Sequence, residues 1–428
     1  MAAVLRAREM RRVHVLGGGS LGSLFASHFA KATVPTTLLL RPEAARLAGP
    51  NCTISVTAED SDGVDKQTLP CEPADRTVKQ PFDILVVAVK AFDARPALEA
   101  VGTRVASSST VILMCNGALA VADDLAHVLG DASLLCATTT HGAWSRGPQD
   151  LHHAGKGGTW IGALPKAGTA ASGGGTRHAP FGDSERSNTC ERPLSAHAVG
   201  AQELFASCGL GAVVEGPADT ERRLWPELTH THVRRGASVG YVRATRTSLP
   251  RCVRTGGAGS RAPRAPRTVR TGYAYQPRAL GTYSVPWHPR LWLKLAANAV
   301  LNPLTALWDC ENGEVLARAE GREAAQQVCE EVQAVCAHLA VSNAATGLRV
   351  SDLTGFVHEC AAANARNLSS MCMDVRNGRR TEIEQLNGWI ESKSRGIAKG
   401  TGTLATSPAW TGKNGELADA VRRLHPAG

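Results

Sequence analysis

Apolar residues follow two patterns along this chain, and the change comes after its middle. Up to Thr140 they form short continuous runs: Val13–Leu16, Thr36–Leu40, Asp83–Val89, Val111–Cys115 and Leu134–Thr140. Runs of this length, rich in Val, Ile and Leu, predict parallel strands buried on both faces. Leu21–Thr33, between the first two, predicts a helix. From Leu291 onward the period lengthens. Leu291–Leu307 (LWLKLAANAVLNPLTAL) is an apolar helix, Glu314–Ala340 a long amphipathic one, and Val357–Met373 a further one. Thr381 with Glu384 fits a capping box, so a helix is expected to restart there, with Glu382 in its first turn. The prediction is an α/β Rossmann-type N-terminal domain with a parallel sheet, then an all-α C-terminal domain.

At 428 residues the chain is long enough for two or three domains at ~150 residues each. Its 43% hydrophobic content excludes global disorder, and its 4% aromatic content makes the core aliphatic. No apolar run is long enough for a membrane helix. No apolar signal region follows the N-terminus, where Arg6, Arg8, Arg11 and Arg12 stand against Glu9. A cytoplasmic address is expected, with a mitochondrial transit stub as the alternative. The twelve cysteines are scattered with no Cys-x-x-Cys and no zinc spacing, which fits reduced thiols and no metal.

The net charge of +9 invites a nucleic-acid reading, but its distribution argues against one. Residues 226–290 carry twelve Arg against a single Glu, so the rest of the chain is mildly acidic. All four tyrosines (Tyr241, Tyr273, Tyr275, Tyr283) fall there too. Gly, Pro and Arg dominate with no apolar period, which predicts a disordered insertion. Two lesser stretches, Lys166–Ser195 and Lys399–Lys413, are rich in Gly with Ser or Thr. The expected boundaries are 12–225 for the cofactor domain, with its insert near 166–195, then 226–290 for the insertion. Residues 291–428 form the helical substrate domain.

Gly17-Gly18-Gly19-Ser20-Leu21-Gly22 fits G-x-G-x-x-G between the first strand and helix, the context a dinucleotide fold requires. Gly17 makes the turn, Gly19 admits a pyrophosphate, and Gly22 lets helix and strand approach. Arg41 ends the second strand, where an NAD-binding unit places an acid, so NADP is favoured over NAD. Lys90, Asn116 and Ala143 follow later strands on the carboxyl edge, where ligands bind. In the helical half, Lys294, Asn298 and Asn302 lie at i, i+4 and i+8, one polar stripe on an apolar helix. A buried polar stripe must be satisfied or line a cavity. Glu382 has a plain alternative reading as a carboxylate favoured by a helix dipole.

The stretches VHVLGGGSLGSLFA, DILVVAVKAF, ILMCNG, ATTTHGA, LWLKLAANAVLNPLTALWDCENGEVL and NLSSMCMDVRNGRRTEIEQLNGWI resemble the ketopantoate reductase family, in family order. The resemblance implies a Rossmann domain, a helical domain and an active site in the cleft between them. It implies NADPH-dependent reduction of 2-dehydropantoate to (R)-pantoate, a step toward pantothenate and coenzyme A. Residue by residue, it implies Lys294 as the catalytic lysine and general acid. Asn116, Asn298, Asn302, Asn312 and Ser370 match substrate-binding positions, together with Lys294 itself. Glu382 matches the acid that touches cofactor and helps order the site, and its carboxylate can pair with and position the Lys294 ammonium. Lys90, Asn116 and Ala143 match cofactor contacts beside the Gly17–Gly22 loop. The implied partner is a small keto acid; a homodimer is compatible, a membrane or nucleic-acid partner is not expected.

Two departures stand out. The family usually has Gly two residues after its NG pair, where this chain has Leu119. The family also joins its Rossmann strands to the lysine helix by a shorter path than residues 226–290 allow. The alternatives are a reductase of another 2-keto acid, or a non-catalytic NADP-binding protein whose Arg-rich insert holds anions.

Overall fold

The apolar runs all become strands: two keep the bounds of their runs, and the others differ by one or two residues at each end. The structure, a computed structural model, describes residues 11–59, 63–75, 77–125, 128–163, 196–210, 212–213, 287–339, 348–401 and 412–424. The Gly-rich stretch 166–195, residues 226–286 of the Arg-rich segment and residues 402–411 lie outside these. The α/β half runs β1 (Val13–Leu16), α1 (Ser20–Lys31), β2 (Thr36–Leu40), α2 (Pro42–Ala48), β3 (Asn51–Ala58), β4 (Val64–Pro73), β5 (Ile84–Val87) and α3 (Ala91–Val101). It continues with β6 (Thr110–Leu113), α4 (Ala118–Leu125), β7 (Ser133–Thr139), β8 (Gly142–Gly147), β9 (Asp150–Gly155), β10 (Thr159–Ala163), α5 (Ala196–Ser207) and β11 (Ala212–Val213).

The sheet order is β11-β10-β7-β6-β5-β1-β2-β4-β3-β9-β8. From β4 through β2, β1, β5 and β6 to β7 every pairing is parallel. The β7/β10, β3/β4 and β8/β9 pairs are antiparallel. Every residue of β1, β5 and β6 is buried, because helices cover both faces. Leu24, Phe25 and Phe29 of α1 pack on one face. Leu98 of α3 and Val121 and Leu125 of α4 pack on the other. The chain leaves β1 to one side for β2 and returns to its other side for β5. That reversal opens a crevice at the carboxyl end of β1, where a doubly wound sheet takes its ligand.

The helical half comprises α6 (Trp287–Trp308), α7 (Asn312–Val315), α8 (Ala319–Leu339), α9 (Val350–Ala363), α10 (Ser370–Arg376), a 3-10 turn (Ile383–Gln385), α11 (Asn387–Thr401) and α12 (Lys413–Leu424). Ala296, Val300 and Leu304 of α6 form its core with Val328 and Val332 of α8 and Leu353 and Val357 of α9. Leu291, near the start of α6, is buried in the α/β core instead. The helix thus ties the halves together, and both belong to one compact unit.

Three helix expectations are corrected. The long helix expected from Glu314 begins only at Ala319, and Asn312–Val315 forms a separate short turn closed by a Glu311/Glu314 capping box. The helix expected over Val357–Met373 is two, because residues 364–369 turn their carbonyls outward. Ala365 O and Asn367 O accept the Gly313 and Asn312 backbone N–H groups at 2.9 Å each. The Thr381/Glu384 capping box does not form. Glu384 grips Arg422 with both oxygens, at 2.7 and 2.8 Å, so a 3-10 turn stands there with Glu382 at its N-cap.

Pro303 inside α6 has no N–H, which frees the Ala299 carbonyl four residues back. Asn387 Nδ2 donates to that carbonyl at 2.9 Å and to Asn414 Oδ1 at 2.9 Å. Asn414 Nδ2 in turn donates to Glu331 at 2.8 Å, and Glu331 also accepts the Lys413 backbone N–H at 2.7 Å. Glu331 is fully buried, so these donors have no water to fall back on. Glu331→Ala is expected to destabilise the protein by about 3–5 kcal/mol, since it strands several buried donors at once. Urea unfolding checks this, and a loss below about 1 kcal/mol would show that the network is dispensable.

Two buried imidazoles make stability depend on acid. Burial, with smaller effects from neighbouring cations, pushes His14 and His153 from 6.5 down to about 4. Both are almost fully buried. Unfolded histidines take up protons that the folded ones refuse, so stability is complete above the ordinary histidine range. It falls as pH drops from there through about 4. Each imidazole is expected to cost up to about 2 kcal/mol between pH 7 and pH 5. Unfolding midpoints at the two pH values measure the loss, and His153→Gln should reduce it.

Candidate active site

The crevice at β1 is built by glycine. Gly17 has φ +113°, and a Cβ there would lie 2.7 Å from Ala88 O. A Cβ on Gly22 would lie 2.0 Å from Gly17 O, so only glycine lets α1 start this close to the strand. Gly19 is the N-cap of α1 and no side chain caps the helix. Around Gly19 a Cβ would meet nothing within 4 Å. Ser20, Leu21 and Gly22 form the first turn, with neither acid nor base among them. The loop is therefore an open cradle with free N–H groups, suited to a pyrophosphate. Gly18 rests on Leu40, the last residue of β2. Arg41 follows Leu40, exposed, with Nη2 2.8 Å from Asp93 Oδ2 on α3.

The helical half closes the next part of the edge. Glu382 is 5% exposed. One oxygen accepts the Ala91 N–H at the start of α3, at 2.9 Å. The other accepts from Asn116 Nδ2 at 3.2 Å and lies 3.6 Å from Lys90 Nζ. Lys90 pairs more tightly with Asp374 of α10, at 2.7 Å, and Arg379 holds the other oxygen of Asp374 at 3.1 Å. Gly117, with φ +68°, lies so close to the 3-10 turn that a Cβ would be 2.6 Å from Gln385 O.

The polar stripe of α6 faces this edge. Asn298 Nδ2 reaches Asn116 Oδ1 at 3.5 Å. Lys294 Nζ donates to Thr139 O, at the end of β7, at 2.9 Å. The expected Lys294–Glu382 pair differs in the structure: Glu382 is held by Ala91, Asn116 and Lys90, and the ammonium bonds to the carbonyl. Burial pushes the Lys294 amine below the ordinary lysine value, an effect opposed by the Cys360 thiol, by Glu382 and by the Cys115 thiol. Burial, then Glu382, pushes the Cys115 thiol far up, so it stays neutral. Thr139 is itself pinned, since its hydroxyl accepts the His141 N–H at 3.1 Å and donates to Gly158 O at 3.1 Å.

Lys294, Asn298 and Asn116 line a space of about 320 Å³, solvent at its mouth included. Leu119, Leu291 and Leu295 form an apolar wall. The arrangement offers an ammonium and two amides to a small polar group with an apolar remainder. Asn302 is buried one turn further along α6. Asn312 is buried in α7, its amide donating to Asn364 O at 3.2 Å while Oδ1 has no partner. Ser370 is exposed at the first residue of α10, and its neighbour Ser369 makes the cap. Ala143 lies inside β8 opposite His153 and is not among the residues lining the space.

Sequence reasoning missed Asp374, Thr139 and Gln385. Asp374 had a signal, as a lone acid in an arginine-rich run on an otherwise apolar turn. Thr139 and Gln385 act through backbone carbonyls, which no side-chain pattern marks.

The family model "Ketopantoate reductase PanE/ApbA" matches residues 13–166, and "Ketopantoate reductase PanE/ApbA C terminal" matches residues 287–401. The 2-dehydropantoate 2-reductase of Escherichia coli O157:H7 is 41% identical over 134 residues, 29% of this chain and 42% of that protein. The chain thus spans about two fifths of the length of that relative. The 2-dehydropantoate 2-reductase of Halobacterium salinarum is 25% identical over 394 residues, 90% of this chain and 92% of that protein. Among solved structures, a PanE/ApbA family ketopantoate reductase from Ralstonia eutropha JMP134 superposes with TM-score 0.61 at 18% identity, over 97% of this chain and 98% of that one. D-mandelate dehydrogenase with NADH and anilino(oxo)acetate superposes with TM-score 0.62 at 14% identity, with the same coverage. At these identities the two structures share the fold. The two matched segments together cover more than half of the chain, on either side of the Arg-rich stretch, and the chain belongs to the ketopantoate reductase family.

Proposed function

We propose that this protein reduces 2-dehydropantoate to (R)-pantoate with NADPH. The observation that carries the reading is Lys294: a half-buried amine with a lowered pKa, next to two amides, on the carboxyl edge of a sheet that opens with a glycine cradle. The cradle fits a dinucleotide, since Gly19 leaves open space at an uncapped helix N-terminus. Gly17–Gly22 would hold the pyrophosphate and Arg41 the 2′-phosphate, with Lys90, Asn116 and Glu382 nearer the nicotinamide. NADPH supplies the hydride.

Charge develops on the ketone oxygen as the carbon is reduced. Lys294, as ammonium, hydrogen-bonds that oxygen and gives it a proton. Asn298, Asn302 and Asn116 hold the remaining hydroxyl or carbonyl groups. Ser370 holds the carboxylate, and Asn312 acts through its unpaired Oδ1. Glu382 fixes Asn116 and the first turn of α3, and keeps Lys294 charged. Ala143, inside β8, is the remaining cofactor position. In this reading residues 12–225 and 291–428 are the cofactor and substrate domains, and the protein is a cytoplasmic homodimer. A solved relative from Staphylococcus aureus is described as a dimeric ketopantoate reductase. All ten described cysteines are free, as a reducing compartment requires.

Loss of NADPH absorbance with 2-dehydropantoate tests the reaction, and fluorescence titration with NADPH alone tests the cradle. NADPH binding without turnover would favour a non-catalytic cofactor protein, and neither would refute the reading.

A further inference from the structure

Leu119 stands where the two cores of the protein meet. It is the first-turn residue of α4, three positions after Asn116. Among the described residues it alone packs partly buried against both the helical core and the core on the α3/α4 face of the sheet. Its side chain lines the space that Lys294 and Asn298 border. The other aliphatic side chains of that lining are of two kinds. Ala118 and Ala137 contribute methyl groups, which leave room. Leu291 and Leu295 are buried to 6% and 5% exposure within α6, held by the cores around them. Leu119 is only half-buried, so it is the large apolar residue of the wall with an open side.

The polar groups share this lining, with Lys294 and Asn298 on the same α6 face as Leu291 and Leu295. Lys294 and Asn298 are one helical turn apart, and Asn116 faces Asn298 at 3.5 Å. An acid whose ketone meets Lys294 therefore has its chain in the small space that Leu119 also lines. The enclosed part of that space is only about 20 Å³, so every side chain on its wall bears on what fits. We infer that Leu119 is a specificity-determining residue, which limits the substrates to 2-keto acids with a compact apolar chain and excludes extended or aromatic ones. The inference rests on the reductase reading above and adds the substrate class to it.

Its test compares kcat/KM for 2-dehydropantoate with that for phenylpyruvate, in the unsubstituted chain, in Leu119→Ala and in Leu119→Phe. The ratio of the two values does not depend on how much of a preparation is folded, so a loosened core does not imitate the effect. Leu119→Ala removes three carbons from the wall and is expected to raise the phenylpyruvate-to-dehydropantoate ratio by about 10-fold or more, the usual weight of a few methylenes in a pocket. Leu119→Phe is expected to lower it. Turnover of 2-dehydropantoate with ratios within twofold across the three chains would overturn the inference and leave the reductase reading intact. No turnover of either acid by the unsubstituted chain would overturn both.

Discussion

Lys294→Ala is expected to lower kcat by roughly 10²–10⁴-fold, the contribution of a general acid placed at a developing oxyanion. The amine is the one ammonium on the α6 stripe, and its bond to Thr139 O at 2.9 Å holds it at the cavity wall. Alanine leaves that carbonyl without its donor and the ketone oxygen without a proton source. A pH profile separates these losses. The acid works protonated, so turnover is retained at low pH and falls as pH rises through the amine's pKa. Burial lowers that pKa from 10.5, so the alkaline limb should lie below the ordinary lysine range. In Lys294→Ala the limb should vanish along with the rate. A kcat within twofold of the parent would remove Lys294 from the chemistry.

Glu382→Ala is expected to lower kcat/KM by about 10²-fold or more, since one carboxylate orders groups on both sides of the site. It accepts from the Ala91 N–H and from Asn116, and draws Lys90 to 3.6 Å. Removing it leaves the first N–H of α3 and the Asn116 amide short of partners in a buried place. A stability loss of about 2–3 kcal/mol should accompany the kinetic one. Glu382→Gln keeps the shape but removes the charge that opposes deprotonation of Lys294. Its alkaline limb should move to lower pH while its unfolding midpoint stays nearer the parent's. A fall in stability alone, with parental kcat/KM, would reduce Glu382 to a structural carboxylate.

Much of the fold was legible because it is written in short-range patterns. The runs at Val13–Leu16 and Thr36–Leu40 became strands with those bounds, since a strand buried on both faces needs continuous apolar residues. Lys294, Asn298 and Asn302 were readable as one face because helical spacing alone fixes it. The errors lie where distant residues override local signals. Thr381 and Glu384 look like a capping box until Arg422 claims Glu384. The helix expected over Val357–Met373 breaks because residues 364–369 lend carbonyls to the turn at Asn312 and Gly313. The pairing of Glu382 was misplaced for the same reason. Sequence offered the acid and the lysine, but not the α3 N–H group that reaches the acid first.

The bond between Asn116 and Glu382 joins residues 266 positions apart. A ribosome needs on the order of tens of seconds to make that much chain, at about 5–20 residues per second. Throughout that time the nascent sheet has its glycine cradle but lacks Glu382, Asp374 and the carbonyl of Gln385. The Asn116–Gly117 turn has nothing to rest on, and for most of that time Leu291 has not yet arrived either. Birth of this protein is therefore a prolonged wait with an open apolar edge. Any sequence placed between the two matched segments lengthens that wait, whatever it does in the finished molecule.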